Sequence, residues 1–293
     1  MHFIRALIAS FIFALITFPD AYAQEDSSEA YWDYGFGVGA VHYEHYPASD
    51  QFSDLVLPAP TFQYRGKILR ADDREGAHLY LLKAKDLTLE MSGVGYPALD
   101  SANNEARRGM DNLPWMLALG PQLVSRHIPY IELSLGAYQA ITTDFDMTRF
   151  NGGIFEVQAQ YTHDYEWMES QGKLSASVKW GTAELQELYY GVPADKATAE
   201  RAAYITKDGL LSQDLTYSHN FKSGRLSWVV GASVGFYGQA ANSDSPLHKS
   251  DMNVTGFAGM NYVLGESKKP AVPQEDTSGL INRIKQRRDL REY

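Results

Sequence analysis

The chain has 293 residues, no cysteine, 36 acidic against 26 basic side chains and a mean hydropathy of −0.33. Past the N-terminal segment no apolar run reaches the ~18 residues of a membrane-spanning helix, which excludes a multi-helix membrane protein. A net charge of −10 argues against a nucleic-acid partner, which requires a basic footprint on the protein.

Residues 1–23 read as an export signal. Arg5 supplies the charged start, 6–18 are apolar, Pro19 breaks the run, and Ala21-Tyr22-Ala23 has the small-x-small pattern of a cleavage site. Cleavage is expected after Ala23, giving an exported chain that has no disulfide framework to staple it.

From Tyr31 onward the period is two. Trp32, Tyr34, Phe36, Val38 and Ala40 point one way, and Asp33, Gly35, Gly37 and Gly39 the other. The alternation returns at Leu87–Ser92, Ile131–Ala137, Phe155–Thr162, Leu174–Trp180 and Leu226–Phe236. A soluble sandwich uses strands of about 5–6 residues with the apolar face inward. A transmembrane barrel puts the apolar face outward and needs about 9–11 residues per strand. Segments here run 9–14 residues, and Trp32, Trp115, Tyr130, Tyr165, Trp180, Tyr217 and Tyr262 sit near their ends, where interfacial girdles belong. The fold class is therefore all-β, an antiparallel transmembrane barrel over 24–264.

Parity sets the strand count. Working back from a last strand at about 252–264, connections at 239–251, 183–208, 143–151 and 97–113 fall outside the cell. Those at 222–223, 166–171, 127–128 and 84–85 fall on the periplasmic side. Eleven strands are evident, so a twelfth, short one is expected at 51–57, ended by Pro58-Ala59-Pro60; ten strands is the alternative. Inward charges are Asp33, Arg65, Glu90, Glu132, Glu156 and Lys179. Their signs are mixed, so they either pair and close the bore or line a small channel.

Residues 265–293 form a periplasmic extension: a proline-bearing linker, then a segment that Thr277-Ser278 is placed to cap as a helix. Arg283, Lys285, Arg287, Arg288 and Arg291 make it basic, net +2 against −12 for 24–264. The plain reading is a solvated, partly helical tail; the sharper one is a contact for a periplasmic protein or for acidic cell-wall groups.

Motifs suggestive of chemistry do not hold up. Gly231-Ala232-Ser233-Val234-Gly235 matches a nucleophile elbow but lies inside a strand, without the strand-to-helix turn that exposes the serine. In His42-Tyr43-Glu44-His45 the ligand types point to different faces. His248-Lys249-Ser250 lacks an orienting partner and leaves an outer-membrane lipid hydrolase as a minor alternative. Asn253-Val254-Thr255 has the glycosylation pattern but begins a strand. No catalytic residue, metal or cofactor is assigned.

Four blocks carry a family resemblance. They are the opening strand YWDYGFGVGAVHYEHYPASD, the run LPAPTFQYRG at 57–66, Arg107-Arg108-Gly109-Met110-Asp111 with Leu117-Ala118-Leu119-Gly120-Pro121, and Tyr189-Tyr190-Gly191-Val192-Pro193 with Tyr204 and Gly209-Leu210. In order and spacing the chain resembles the MipA/OmpV family of outer-membrane proteins (MltA-interacting protein and relatives) from about Tyr31 to Leu264. The resemblance implies an outer-membrane barrel amid lipid and lipopolysaccharide. From the family's namesake it implies a scaffold that joins peptidoglycan-processing proteins; a small-solute channel is the alternative. One departure from the family pattern is the tail that follows the last strand, since such barrels usually stop there on a terminal aromatic.

Overall fold

The computed structural model describes residues 30–66, 68–72, 76–84, 86–165 and 170–267. The leader and the basic residues Arg283, Lys285, Arg287, Arg288 and Arg291 lie outside the described residues.

Twelve antiparallel strands close into one barrel: β1 (Tyr31–Glu44), β2 (Phe52–Arg65), β3 (Leu69–Asp72), β4 (Gly76–Lys83), β5 (Leu87–Tyr96), β6 (Trp115–Ile128), β7 (Ile131–Thr143), β8 (Thr148–Tyr165), β9 (Ser170–Gly181), β10 (Gly209–Ser223), β11 (Leu226–Phe236) and β12 (Met252–Glu266). Neighbours in sequence are neighbours in the wall, and β1 pairs with β12 to close it, Phe36 opposite Tyr262 and Ala40 opposite Ala258. On β7, Ser134, Tyr138, Ala140 and Thr142 are buried inward, while Leu133 and Leu135 stay exposed on the outer face. That inversion of the soluble pattern marks a wall solvated by lipid. Aromatics gather at both ends of it: Trp32 stacks against Phe62 at 6.4 Å near the short-turn rim, and Phe155 lies 5.9 Å from Trp180 near the long-loop rim. The barrel rule places the long-loop rim outside the cell.

The short strand is not where parity reasoning placed it. Residues 51–57 belong to β2, which runs on through Pro58 and Pro60 as a 14-residue strand; the short element is β3, four residues long. Register explains why the prolines are tolerated. The Gly66 amide donates to the Leu69 carbonyl at 2.9 Å, and Tyr64 pairs with Ala71, so even-numbered amides of β2 face the β3 side. Above Gln63 no strand occupies that side among the described residues. Pro58 and Pro60 therefore lack donors only where no ladder needs them, the edge position in which proline is compatible with a strand.

Smaller differences concern the ends of elements. The 143–151 connection shrinks to 144–147 because β8 starts at Thr148 and projects past the wall. Two of the short turns lie two residues later than expected, at 129–130 and 224–225. Gly265 and Glu266, expected in the linker, finish β12: Glu266 sits opposite Asp33 and accepts from the Tyr31 hydroxyl at 2.7 Å. The connection at 183–208 contains a helix, α1 (Ala183–Tyr190), capped by the Thr182 hydroxyl.

Candidate functional site in the plugged barrel interior

Each inward charge has a partner: three pairings join opposite charges, and Glu90 meets a histidine. Arg65 reaches Asp33 at 2.9 Å, and the Gln63 amide oxygen accepts from the same guanidinium. Glu90, 2% exposed, meets His78 at 2.8 Å. Glu132 meets Arg126 at 2.8 Å. Lys179 lies between Asp214 at 3.1 Å and Glu156 at 3.9 Å. Asp214, Arg126 and His78 escaped the sequence reading. Asp214 had a legible signal, because Ser212, Asp214, Thr216 and Ser218 are the polar phase of β10. A charge in a narrow interior is costly unless paired, and cross-strand pairing of this kind braces the wall from inside.

The long-loop rim is closed by four connections that share one apolar core. Tyr46 and Ala48 come from the β1–β2 loop, and Leu99 and Leu113 from the β5–β6 loop. Leu185, Tyr189 and Tyr190 come from α1, and Tyr237 from the β11–β12 loop; all pack over Met116, Tyr138 and Ile154 of the wall. Polar groups then lock the loops together. Arg107, 4% exposed, donates to the carbonyls of Leu188 and Tyr189 at 3.2 Å each and lies over the Tyr46 ring. Burial lowers its pKa to about 10, which leaves it cationic at neutral pH. Arg201 donates to the carbonyls of Ala106, Arg108 and Lys196. Asn242, fully buried, donates to Gln186 and to the Lys207 carbonyl and accepts from Tyr204. Ser245 donates to the Tyr190 carbonyl at 2.7 Å. Two of the family-like blocks are thus joined here: Arg107 of one holds the last turn of α1, where Tyr189 and Tyr190 begin the other.

The motif residues find other uses. His42 faces outward to Asp54 at 2.8 Å, Glu44 accepts from Tyr237 at 2.5 Å and from Asn253, and His45 joins Ser53 and Asn104. Nothing converges. Ser233 shares a hydrogen bond with Thr216 inside the ladder, and Gly231 leaves room for the Phe257 ring. His248 packs on Tyr190 and bonds the Tyr237 carbonyl, while the Ser250 hydroxyl donates to the Met252 carbonyl. Asn253 is 4% exposed. No group of three metal-ligand side chains converges among the described residues.

Two concavities bear on the plug and the bore. One of about 650 Å³ opens on the long-loop rim beside Asp111, Asp144, Arg149, Glu187 and Lys196. Backbone amides of Met147 and Asp146 hold the Asp144 carboxyl below the usual range. The other, about 230 Å³, lies inside the wall behind β1 and β2, lined by Gly37, Gly39, Leu57, Ala59, Val229 and Asn261.

Among solved structures the chain is similar to a bacterial polysaccharide outer membrane secretin, with 9% identity over 82% of this chain and 100% of that one and a TM-score of 0.32. It is similar to the Pseudomonas putida toluene transporter TodX, with 10% identity, 85% and 91% coverage and a TM-score of 0.29. A Pseudomonas aeruginosa FadL homologue gives 7% identity, 80% and 90% coverage and 0.30. Likeness this distant carries no argument about ligand or activity. No curated protein matches the chain. The family model described as MltA-interacting protein MipA matches residues 36–264, through all twelve strands of the wall. The chain belongs to the MltA-interacting protein MipA family and is an outer-membrane β-barrel.

Proposed function

We propose that this barrel is a structural, non-catalytic component of the outer membrane that holds envelope or peptidoglycan-processing proteins in place. The observation that supports this most is the interlocked plug. Arg107 and Arg201 tie the β5–β6 and β9–β10 connections together through backbone carbonyls, and the four inward pairs brace the bore beneath. A wall filled in this way suits a rigid platform better than a conduit. The family name points to a peptidoglycan-processing partner. Both ends of the wall sequence, Tyr31 and Glu266, lie at the short-turn rim, so the basic residues 283–291 follow a strand that exits on the periplasmic side. We place the partner contact on that tail, at Arg283, Lys285, Arg287, Arg288 and Arg291, and we place export cleavage after Ala23.

Crosslinking in intact envelopes from the tail and from the 183–208 loop tests the reading. Capture of periplasmic cell-wall proteins by the full chain, lost on deleting 268–293 while the barrel still assembles, is the expected result. Capture of assembly machinery and lipopolysaccharide alone counts against it. The small-solute channel draws on the 230 Å³ interior cavity, and planar-bilayer conductance separates the two: steady nanosiemens steps favour the channel, silence the platform.

A further inference from the structure

The wall has a window. Among the described residues, β2 on one side has no strand on the outer edge of 52–63, and β5 on the other pairs with β4 only through Thr88–Met91, leaving 92–96 unpaired on that side. The short β3–β4 hairpin forms the sill, tied by the Tyr80 amide to the Ile68 carbonyl at 2.7 Å. Two loops form the lintel: Asn104 donates to His45 at 3.0 Å and to Ser49 at 3.3 Å, and the Glu105 amide donates to Gln51.

An open sheet edge at membrane depth leaves backbone carbonyls without partners, which hydrocarbon does not tolerate. Another strand is a poor occupant, because Pro58 and Pro60 remove two of the donors that a ladder there requires. The lips are apolar instead. Val56 and Phe62 are exposed on the outer face, and Leu57 and Val94 are exposed as well. Directly behind β2 lies the 230 Å³ cavity, smaller than a typical drug-sized pocket and suited to one narrow chain. Its lining is aliphatic near the window at Leu57 and Ala59, bare at Gly37 and Gly39 of the next strand, and aliphatic again at Val229 on its far side. It also holds one unspent donor. Asn261 is 9% exposed and its carbonyl oxygen accepts from Thr61 at 2.6 Å, but its amide nitrogen has no partner; Lys222 lines the same space. A buried donor without an acceptor costs about 1–3 kcal/mol, which a ligand oxygen removes.

We propose that the window admits a single-chain amphiphile, a long-chain acyl carboxylate, from the membrane into this cavity, with the carboxylate at Asn261 and Lys222 and the chain along Leu57, Ala59 and Val229. This goes beyond the platform reading and does not depend on it. The test is photolabelling of the full-length protein in phosphatidylcholine vesicles with a C16 carboxylate carrying a mid-chain diazirine, adducts being mapped by mass spectrometry. Strand alternation makes the answer unambiguous. Adducts are expected on inward Leu57, Ala59 and Val229 as well as on outward Val56, Phe62 and Val230. Gly39→Trp has open space for its side chain and fills the cavity; it is expected to remove the inward adducts at least tenfold and keep the outward ones, which report an intact barrel. Outward adducts alone in the unmodified protein overturn the proposal, as do inward adducts that survive Gly39→Trp. The methyl ester is expected to label the inward positions several-fold less, and equal labelling overturns the carboxylate assignment.

Discussion

The guanidinium of Arg107 lies 3.2 Å from the carbonyl oxygen of Tyr189, so a buried cation closes the C-terminal turn of α1 from a loop more than 80 residues away. The last carbonyls of a helix have no intrahelical partner and carry the negative end of its dipole, and Arg107 answers both. Arg107→Ala strips two carbonyls of a charged donor and opens a hole beside Tyr46. The expected cost to plug closure is about 3 kcal/mol. Arg107→Lys is expected to recover little, because a single ammonium cannot serve the Leu188 and Tyr189 carbonyls and also the Ser101 hydroxyl and Asp111 carbonyl that the other guanidinium nitrogens reach. Hydrogen exchange across 182–208 is the measurement, with faster exchange in both variants and an unchanged wall.

The Lys179 cluster makes a different prediction. Its ammonium is shared by Asp214 and Glu156, on strands either side of β9. Lys179→Met leaves two carboxylates facing each other and is expected to cost about 3 kcal/mol in urea unfolding from vesicles. The triple variant Lys179→Met, Glu156→Gln, Asp214→Asn is expected to regain most of that loss. Failure of the triple variant to recover would show that packing around Lys179, and not the charges, is what the single change damages.

These two sites differ in how far the sequence disclosed them. Period-two alternation located the walls, both members of the Asp33–Arg65 and Glu156–Lys179 pairs and one member, Glu90 or Glu132, of the other two, because the pleat alone decides which side chains face inward. The partners depend on register between strands, so Asp214 and Arg126 had no local mark that tied them to Lys179 and Glu132. Loop interlocking was less legible still. Arg107 and Tyr189 were visible as members of recurring blocks, yet nothing in either block says that one bonds the other. The misplaced short strand has a clear cause: proline was read as a strand terminator, a rule that assumes both edges are paired, and β2 has a free one.

His45 gives the plug a pH dependence of predictable sign. Its Nδ1 accepts from the Asn104 amide, whose own oxygen accepts from the Arg107 backbone amide, so the orientation of the asparagine is set. Nε2 then donates to the Ser53 hydroxyl at 2.9 Å, and the ring is neutral. Burial lowers the pKa below the ordinary 6.5, with Phe52 and Asp50 opposing. The unfolded loop therefore binds the proton more readily than the folded one. The stability contributed by the neutral ring is complete above about 6.5 and falls as pH drops through that value. Proteolysis of the 45–51 and 97–114 connections is expected to accelerate between pH 7 and 5 in the unmodified protein. His45→Gln is expected to flatten that dependence, since glutamine can both accept and donate there without titrating.

Pro58 and Pro60 provide the last prediction. Each sits where an amide would point toward the unpaired side of β2, between Val56 and Phe62 on the lipid face. Replacing both with β-branched residues, Pro58→Thr and Pro60→Val, restores two donors to an exposed apolar edge without removing any bond to β1, whose ladder uses the odd-numbered amides. Individual stability is expected to change by less than about 1 kcal/mol. Association is expected to change far more, because a long free edge with its donors intact is a template for a second strand. Dimer formation through β2 in mild detergent, read by light scattering and by crosslinking from a cysteine at Asp54 in a chain that has none of its own, is the expected outcome. A variant that stays monomeric would mean that the edge is shielded by the neighbouring wall, and that the prolines answer to packing and not to protection of the edge.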